Sequence, residues 1–218
     1  MLLEPTTVAE KGINHAYEIQ RRLKVWEPRK ALILGSGTIG LLMAMAARLR
    51  GLELTVASLP KPPYRNSELV EQLGGVYRST QDSDLRAISE ERGPFDLIMD
   101  ATGFSPIIWE AAEVLGKNGV LVLSSITGGD RKVEINSDRI NQSFVLGNKV
   151  MVGTVNASPA DFRSGVDDLI KAQALFPGWL DQLLTTPIHG LENYEEMIRA
   201  LTEDADAIKV FVEVNGSR

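Results

Sequence analysis

The chain has 218 residues, of which 44% are hydrophobic and 24% are charged, with a formal net charge of −6. This is the composition of an ordinary soluble globular protein, and its acidic balance argues against nucleic acid or an anionic membrane as the main partner. No apolar run is long enough to span a membrane and no signal-peptide pattern opens the chain, so we expect a cytoplasmic protein. The lack of cysteine excludes disulfides and thiolate metal sites, and two histidines are too few for a histidine-rich site.

The first segment, residues 1 to about 25, is predicted to be helical, with Val8, Ile13 and Ile19 among its apolar residues. It precedes a regular alternation of strand and helix patterns and does not belong to it. We interpret it as a remnant of a second, catalytic domain that this chain lacks. The alternative is that it covers an edge of the sheet.

A glycine-rich loop at residues 35–40 (GSGTIG) is the most informative motif. The apolar strand pattern of residues 30–34 precedes it, and a helix pattern at residues 41–50 follows it. In this context the loop predicts dinucleotide binding: Gly35 allows the tight turn, Gly37 lets the backbone approach a pyrophosphate, and Gly40 lets the helix pack close to the strand. The alternative is an ordinary glycine-rich turn without a ligand.

The chain then continues the same alternation to about residue 175. Further strands are predicted at 52–57, 76–77, 95–99, 119–124 and 149–155. Further helices are predicted at 66–73, after Ser105-Pro106, at 137–146, and after Ser158-Pro159 with Phe162, Val166, Leu169 and Ile170 on one face. The pattern indicates an α/β fold, a doubly wound parallel six-stranded Rossmann sheet with helices on both faces.

Residues 26–175 therefore form the predicted NAD(P)-binding domain. The tail, residues 176–218, shows a strand-like stretch from about residue 183, a helix at 193–201 and a last strand at 208–214. We interpret it as a return segment to the truncated catalytic domain, of which residues 1–25 are a remnant.

Six segments together resemble the C-terminal, cofactor-binding half of zinc-dependent medium-chain dehydrogenases, and most of all the microbial glucose dehydrogenase branch. They are residues 3–11 (LEPTTVAEK), 35–40, 100–103 (DATG), 119–123 (GVLVL), 153–156 (GTVN) and 208–210 (IKV). The resemblance covers essentially the whole chain. It implies an oxidoreductase module that binds NADP or NAD, with hydride transfer from the C1 hydroxyl of an aldose in the complete enzyme.

In that family the N-terminal body supplies most ligands of a catalytic zinc, namely a cysteine and a His-Glu pair. The resemblance implies that Glu4 matches a group that can approach the zinc or the substrate. Because a catalytic zinc needs about three protein ligands, Glu4 is at most one contributor, and we expect zinc only in a complete enzyme. The alternative is a first-turn acid favoured by the helix dipole.

The cofactor preference depends on the end of the second strand. An NAD site usually has an acidic residue there, and this chain has Ser58, followed by Leu59, Pro60 and Lys61. Without a carboxylate nothing repels a 2′-phosphate, and Ser58, Lys61 and Arg65 could supply donors and positive charge. The sequence therefore favours NADP over NAD, although Leu59 and Pro60 stand where related NADP enzymes often carry arginine.

The resemblance also assigns positions around the rest of the cofactor. Thr38 and Ile39 complete the glycine loop, Thr102 lies beside a ribose, and Lys209 lies near the pyrophosphate or is an exposed strand charge. The nicotinamide side is formed by Ser125, Ile126, Thr127, Thr154, Val155 and Asn156. Asn156 could also hold a sugar hydroxyl, whereas Asp100 is expected to cap a turn.

We expect this chain alone to bind cofactor and to turn over poorly or not at all. Two alternatives remain at this point, a non-catalytic nucleotide or redox sensor and a fragment of a zinc-free medium-chain reductase. The apolar strand at 149–155 is predicted to lie at a sheet edge, where an unpaired strand invites association with a second copy. A homo-oligomer is therefore predicted.

Overall fold

The computed structural model describes residues 1–204 and 206–214. Its α-helices are α1 (Leu3–Gln20), α2 (Thr38–Leu49), α3 (Arg65–Gln72), α4 (Leu85–Arg92), α5 (Pro106–Val114), α6 (Ser137–Gly147), α7 (Pro159–Leu175) and α8 (Tyr194–Glu203). Its strands are β1 (Lys30–Leu34), β2 (Glu53–Ser58), β3 (Val76–Ser79), β4 (Phe95–Asp100), β5 (Leu115–Leu123), β6 (Val150–Gly153), β7 (Thr186–His189) and β8 (Val210–Glu213). Within the described residues, no helix is both long and apolar enough to cross a bilayer.

The main sheet has six parallel strands in the order β3-β2-β1-β4-β5-β6. The order reverses direction between β1 and β4, which is the point where ligands bind in doubly wound sheets. Leu34, the last residue of β1, is paired with Ala57 of β2 and Asp100 of β4. The carboxyl ends of these strands therefore meet at one edge, and the predicted fold class is confirmed.

Alternate residues of the strands enter two separate apolar cores. In β1, Ala31 and Ile33 belong to the core under α1, α2, α3 and α7, while Leu32 and Leu34 belong to the core under α4 and α5. A strand that is buried on both faces is the expected form in a parallel sheet with crossover helices. The helices thus lie on both faces, as the sequence indicates.

The N-terminal helix α1 is packed into this arrangement. It lies against α2, α7 and β5, and its residues Ala9, Ile13 and Ala16 are fully buried. A Cβ at Gly12 would lie 2.7 Å from the terminal methyl group of Met99 in β4 and 3.1 Å from Val122 of β5, so the helix sits close to the sheet at this glycine. The predicted helical segment is confirmed, with a 3₁₀ turn at Arg21–Leu23 after it.

The tail forms a small sheet of its own, in which β7 and β8 pair in parallel. It contacts the main domain where the Thr38 hydroxyl at the start of α2 donates to the carbonyl of Ile208. The domain boundaries at residues 25 and 175 stay a prediction.

Four local details differ from the sequence prediction. Helix α4 has no counterpart among the sequence-predicted elements. Strand β5 begins four residues earlier than predicted, at Leu115, and β6 is the shorter Val150–Gly153. The Ser105 side chain caps nothing, because Ser105 already has helical dihedral angles, whereas Ser158 forms the expected cap and shares a capping box with Asp161.

Candidate functional site

The glycine loop joins β1 to α2 at the switch point of the sheet. Gly35 has a φ of +94°, and a Cβ there would lie 2.9 Å from the carbonyl oxygen of Ala101. A Cβ at Gly40 would overlap the carbonyl of Gly35, so this glycine lets α2 start directly against the turn. Two glycines are therefore required by the fold itself.

Gly37 is different, because nothing in the protein requires it. It is the N-cap of α2, it is exposed, and a Cβ there would meet no atom within 4 Å. It has no side chain to cap the first-turn amides of α2, which include those of Thr38 and Ile39. Free amides and the positive end of the helix dipole favour an anion at this position.

A cleft of about 720 Å³ opens beside this loop, within the size range of small-molecule sites. It crosses the carboxyl ends of β1, β2, β3 and β4. Its lining residues are Gly35, Ser36, Gly37, Ala57, Ser58, Leu59, Thr80, Asp84, Leu85, Ala101, Thr102, Phe104, Ile107 and Glu110. The structure thus brings Gly35, Gly37, Ser58, Leu59 and Thr102 of the sequence-predicted set into one cleft.

The two cations predicted beside Ser58 are engaged elsewhere. Lys61 forms an ion pair with Asp82, and Arg65 donates to the carbonyl of Gln182 at 3.0 Å. Neither side chain is among the residues that line the cleft, and Pro60 is not among them either. The part of the cleft next to Ser58 is therefore lined neither by an acidic residue at the end of β2 nor by the side chains of Lys61 and Arg65.

A row of hydrogen-bonded hydroxyl groups connects the glycine loop to the loop after β2, and the sequence did not predict it. The Ser36 Oγ lies 2.6 Å from the Tyr64 Oη, which lies 3.1 Å from the Tyr77 Oη, and the latter donates to the Pro60 carbonyl at 2.6 Å. Burial, and then the neighbouring Tyr64, raise the pKa of Tyr77, which keeps its proton available for this bond. These hydrogen-bonded hydroxyl groups fix the loop after β2 relative to the glycine loop.

Asp100, at the end of β4, organises the next two loops. It is fully buried and accepts hydrogen bonds from the Thr102 amide at 3.1 Å, from the Thr102 hydroxyl at 2.6 Å and from the Ser125 hydroxyl. Its predicted role as a turn-capping residue is confirmed. The carboxylate thereby holds two of the predicted cofactor-binding residues next to each other.

The predicted nicotinamide side lies at the ends of β5 and β6. The strands pair Leu123 with Gly153, and the hydroxyls of Ser124 and Thr154 lie 3.0 Å apart. The segments 125–127 and 154–156 are therefore neighbours, as the resemblance implies.

Two features of these segments point outward from the protein. Ile126 and Val155 are 89% and 70% exposed, which is unusual for large apolar side chains. Asn156 is exposed and has a φ of +60°, a conformation that costs free energy for a residue other than glycine. Such strain is common at sites that bind ligands.

Lys209 lies one residue after the carbonyl that Thr38 contacts, which brings it near the start of α2. The Thr185 hydroxyl accepts hydrogen bonds from the amides of Ile208 and Lys209 at 2.8 and 3.3 Å. Among the described residues, the Lys209 ammonium forms no hydrogen bond or ion pair. Lys209 is half-buried. Its neighbour Ile208 contacts the N-terminal end of α2, where an anion is favoured.

Glu4 is exposed in the first turn of α1. Within residues 1–204 and 206–214, no group of three or more metal-binding side chains comes together. His15 borders a separate cavity beside α1, and His189 lies 3.1 Å from a carboxylate oxygen of Glu213 in the small sheet. Neither histidine belongs to the cleft.

The cleft residues that sequence analysis missed belong mainly to α4, α5 and the turns before them. They are Ser36, Ala57, Thr80, Asp84, Leu85, Ala101, Phe104, Ile107 and Glu110. One available signal was Asp84, whose carboxylate accepts from the Ala87 amide at 2.8 Å as the N-cap of α4. The helix itself is short and mostly polar, so its apolar pattern is weak.

Comparison with known families decides where this chain belongs. Residues 1–214 match the family described as "Glucose dehydrogenase C-terminus". The chain belongs to this family. The resemblance drawn from the sequence is thereby confirmed.

Two curated relatives illustrate the match. Glucose 1-dehydrogenase of Methanocella arvoryzae is 34% identical over 214 residues, which are 98% of this chain and 58% of that protein. Glucose 1-dehydrogenase 1 of Caldivirga maquilingensis is 37% identical over 99% of this chain and 58% of its own length. The chain thus spans less than three fifths of these relatives.

Solved structures show the same fold. Haloferax mediterranei glucose dehydrogenase, in complex with NADP, Zn and gluconolactone, superimposes with a TM-score of 0.88 at 27% identity, over 99% of this chain and 59% of that one. 2R,3R-butanediol dehydrogenase of Bacillus subtilis has a TM-score of 0.75 at 22% identity, over 98% of this chain and 57% of that one. The second likeness concerns the fold alone.

Proposed function

We propose that this chain is the NAD(P)-binding module of a dehydrogenase that resembles glucose 1-dehydrogenase. In the complete enzyme, a hydride would pass from C1 of an aldose to the cofactor, while the C1 hydroxyl group loses its proton. The observation that carries the proposal is the pair of contrasting glycines in the loop. The fold requires Gly40, whereas Gly37 leaves open space directly in front of the α2 amides.

The residues present fit a dinucleotide. A Cβ at Gly37 would occupy the space through which a pyrophosphate approaches the first turn of α2, and the cleft continues from there past Ser58 and Thr102. When bound, the nicotinamide supplies the hydride chemistry. The work of this chain is to hold the cofactor: Thr38 and Ile39 through their amides, Gly35 and Gly40 through the shape of the loop, and Lys209 by its charge.

We propose NADP as the preferred cofactor, with NAD as the second. Ser58 leaves the ribose position without a carboxylate, and the similar Haloferax mediterranei enzyme was solved with NADP. Lys61 and Arg65 would need to leave Asp82 and the Gln182 carbonyl to reach a 2′-phosphate. A calorimetric titration with NADP and NAD side by side tests both points. Equal affinity would remove the preference, and no binding of either would overturn the module.

The nicotinamide end is proposed for the exposed segments 125–127 and 154–156. Their position at neighbouring strand ends, together with the strained backbone of Asn156, supports this assignment. Asn156 would contact the carboxamide side of the cofactor and a sugar hydroxyl. Asn156→Gly would keep the backbone conformation and remove the amide, so cofactor affinity should fall while the melting temperature is retained.

The residues of this chain do not fit a zinc site by themselves. In the described part of the chain, Glu4 is an isolated carboxylate and no set of three ligands is formed. We propose that Glu4 contributes at most one contact to a zinc or a substrate held by the rest of a complete enzyme. The 218-residue chain should therefore bind cofactor without zinc and oxidise no glucose. Zinc-dependent glucose oxidation by the purified chain would contradict this proposal.

We further propose that residues 1–25 and 176–218 belong with a catalytic body and that residues 26–175 form the cofactor domain. The outward face of α7 supports this division, since Phe162, Val166 and Ile170 are 40%, 42% and 64% exposed. A body placed against α7 would cover these side chains. Adding the N-terminal part of a relative as a separate polypeptide should protect α7 from hydrogen exchange.

Association through β6 is also proposed, because β6 is the outer strand of the main sheet. Leu146 and Val155, which flank it, are 73% and 70% exposed. Gel filtration with light scattering at micromolar concentration should show a dimer, and a monomer would contradict it. A cytoplasmic location remains a prediction from the sequence, which fractionation of the source cells tests.

A further inference from the structure

One carboxylate of the cleft, that of Glu110, has no part in the cofactor contacts proposed above. Glu110 lies in the middle of α5 and lines the cleft together with Phe104 and Ile107. Among the described residues it forms no ion pair and no side-chain hydrogen bond. Glu110 is an exposed residue, and its partial desolvation, followed by the nearby Asp84 and Glu113, raises its pKa.

Glu113, one turn later on the same helix, is the contrasting case. It lies 3.2 Å from a guanidinium nitrogen of Arg86 and 3.8 Å from one of Arg139. It lines a neighbouring cavity of about 470 Å³ and is not among the residues that line the cleft. Glu110 borders both cavities and Glu113 only the neighbouring one, so Glu110 is the glutamate of α5 that can reach a ligand in the cleft.

The position of Glu110 corresponds to the adenosine half of a dinucleotide. In a doubly wound sheet the two nucleotides lie on either side of the switch point, and the adenosine ribose is held near the end of β2. The cleft covers that end at Ser58 and also the end of β3 at Thr80. The base therefore lies beyond the ribose, towards α4 and α5.

The walls there suit a flat base. Leu85, Phe104 and Ile107 supply apolar surfaces. The Phe104 residue is 50% exposed, and the Arg131 guanidinium lies over one face of its ring, 4.9 Å from the centroid. Apolar and aromatic side chains accept any base face, so they give affinity without selecting a base. Selection needs a polar group at the edge of the ring.

An ionised carboxylate can only accept hydrogen bonds. On the outer edge of adenine the 6-amino group is the donor, and the neighbouring N7 is an acceptor. We propose that Glu110 accepts a hydrogen bond from the 6-amino group of the cofactor's adenine and so selects an adenine dinucleotide. This inference rests on the proposed cofactor site.

The test compares NADP with its 6-deamino analogue, nicotinamide hypoxanthine dinucleotide phosphate, in which an oxygen replaces the amino group. Calorimetric titrations at pH 8 keep a glutamate ionised. The unmodified chain should bind NADP about tenfold more tightly than the analogue, because a hydrogen bond to a charged group is lost and two acceptors face each other.

Two variants separate the role of Glu110 from a general loss of affinity. Glu110→Gln should bring the ratio of the two dissociation constants to about 1, because a carboxamide can donate to the 6-oxygen. Glu110→Ala should also lose the preference, without gaining a donor. Glu113→Gln is the matched control, since it changes the same residue type one turn away, and it should keep the ratio near tenfold.

Three results overturn the inference. The first is equal affinity of the unmodified chain for both dinucleotides, and the second is a preference for NADP that persists in Glu110→Gln and Glu110→Ala. In both cases the proposed function stands, because NADP still binds. A chain that binds neither dinucleotide contradicts the cofactor site itself, and the inference fails with it.

Discussion

Helices α2 and α7 lie on the same face of the sheet but bury different kinds of side chain. In α2 every residue from Gly40 to Ala47 is buried, and none of them is charged. In α7 the buried positions are Asp161, Gly165, Asp168 and Ala172. Of the four apolar side chains predicted to form one face, Leu169 packs against the core, whereas Phe162, Val166 and Ile170 are exposed. Exposed valine and isoleucine on such a helix are typical of a surface that another part of the protein covers, as proposed above for the catalytic body.

One of the buried acids of α7, Asp168, pairs with a cation at the C-terminal end of α2. The Arg50 guanidinium lies 2.7 Å from Glu10 of α1 and 2.6 Å from Asp168 of α7, and Lys171 lies 3.2 Å from Asp168. Glu10 is fully buried, and its Oε1 has no hydrogen-bond partner among the described residues in the ionised form. The three helices are therefore held together by charge at one point.

Replacing this cation should have the largest effect on stability. Arg50→Met leaves Glu10 and Asp168 facing each other in a buried site, which should lower the free energy of unfolding by about 3 kcal/mol. Urea denaturation followed by circular dichroism measures it. Arg29→Met is the control, because Arg29 is exposed, and it should stay within about 0.5 kcal/mol of the parent. Equal stability of the two variants would show that the network is not needed.

The glycine loop of α2 offers the next contrast. Gly40→Val should lower the free energy of unfolding by about 2–3 kcal/mol, because its Cβ overlaps the Gly35 carbonyl. Gly37→Ala should keep the melting temperature within a few degrees, since its φ of −73° suits alanine and its Cβ meets no atom. Its affinity for NADP should nevertheless fall more than about tenfold, as the methyl group blocks the phosphates. Unchanged affinity would refute the assigned approach of the pyrophosphate.

The charge network also predicts a pH dependence. Burial, only partly opposed by Arg50, raises the pKa of Glu10 to about 7. A raised pKa in the folded state means that folding favours the protonated form. This stabilisation is complete below the unfolded pKa of 4.5 and is lost as the pH rises through about 7.

Glu10→Gln should remove this dependence, because glutamine keeps a donor towards Asp168 at every pH. Between pH 5 and 8 the parent should lose on the order of 1–3 kcal/mol relative to the variant. Asp168 acts in the opposite direction and at lower pH: although burial raises its pKa, the hydrogen bond with Glu10 and the charge of Arg50 lower it overall. Denaturation curves at several pH values measure both effects, and parallel profiles for parent and variant would contradict the role of Glu10.

The outer face of α7 should give the smallest effect. Val166→Asn should change the free energy of unfolding of this chain by less than about 0.5 kcal/mol, because Val166 is 42% exposed and its outer side contacts water. Ala172→Asn, on the inner face of the same helix, should cost about 2 kcal/mol, since that position is fully buried. Thermal melts of both variants decide whether the two faces differ as described.

The sequence predicted most of the sheet, because each strand of a two-face-buried sheet is a short apolar run between turn residues. The glycine loop was recognisable for the same reason, as three glycines at fixed spacing between such a run and a helix. Helix α4 was missed because only Leu85 and Ile88 of its eight residues are buried apolar groups. Periodicity has too few points in such a helix.

The partners of charged side chains were the least predictable part. Lys61 and Arg65 carry the right charge beside Ser58, yet one pairs with Asp82 and the other binds the carbonyl of Gln182, 117 positions away. The helix α7 was predicted correctly, but its four apolar residues do not share one environment: Leu169 packs against the core, and Phe162, Val166 and Ile170 are exposed. Such contacts are set by tertiary packing, which local pattern does not contain.

The hydrogen bond from Thr38 to Ile208 connects residues that are 170 positions apart. It ties the loop before β8 to the first turn of the helix that faces the proposed phosphate site. A domain that packs on β7 and β8 would therefore be attached next to the position proposed for the cofactor phosphates. Cofactor binding would then stabilise that attachment, and loss of the attachment would lower the affinity for the nucleotide.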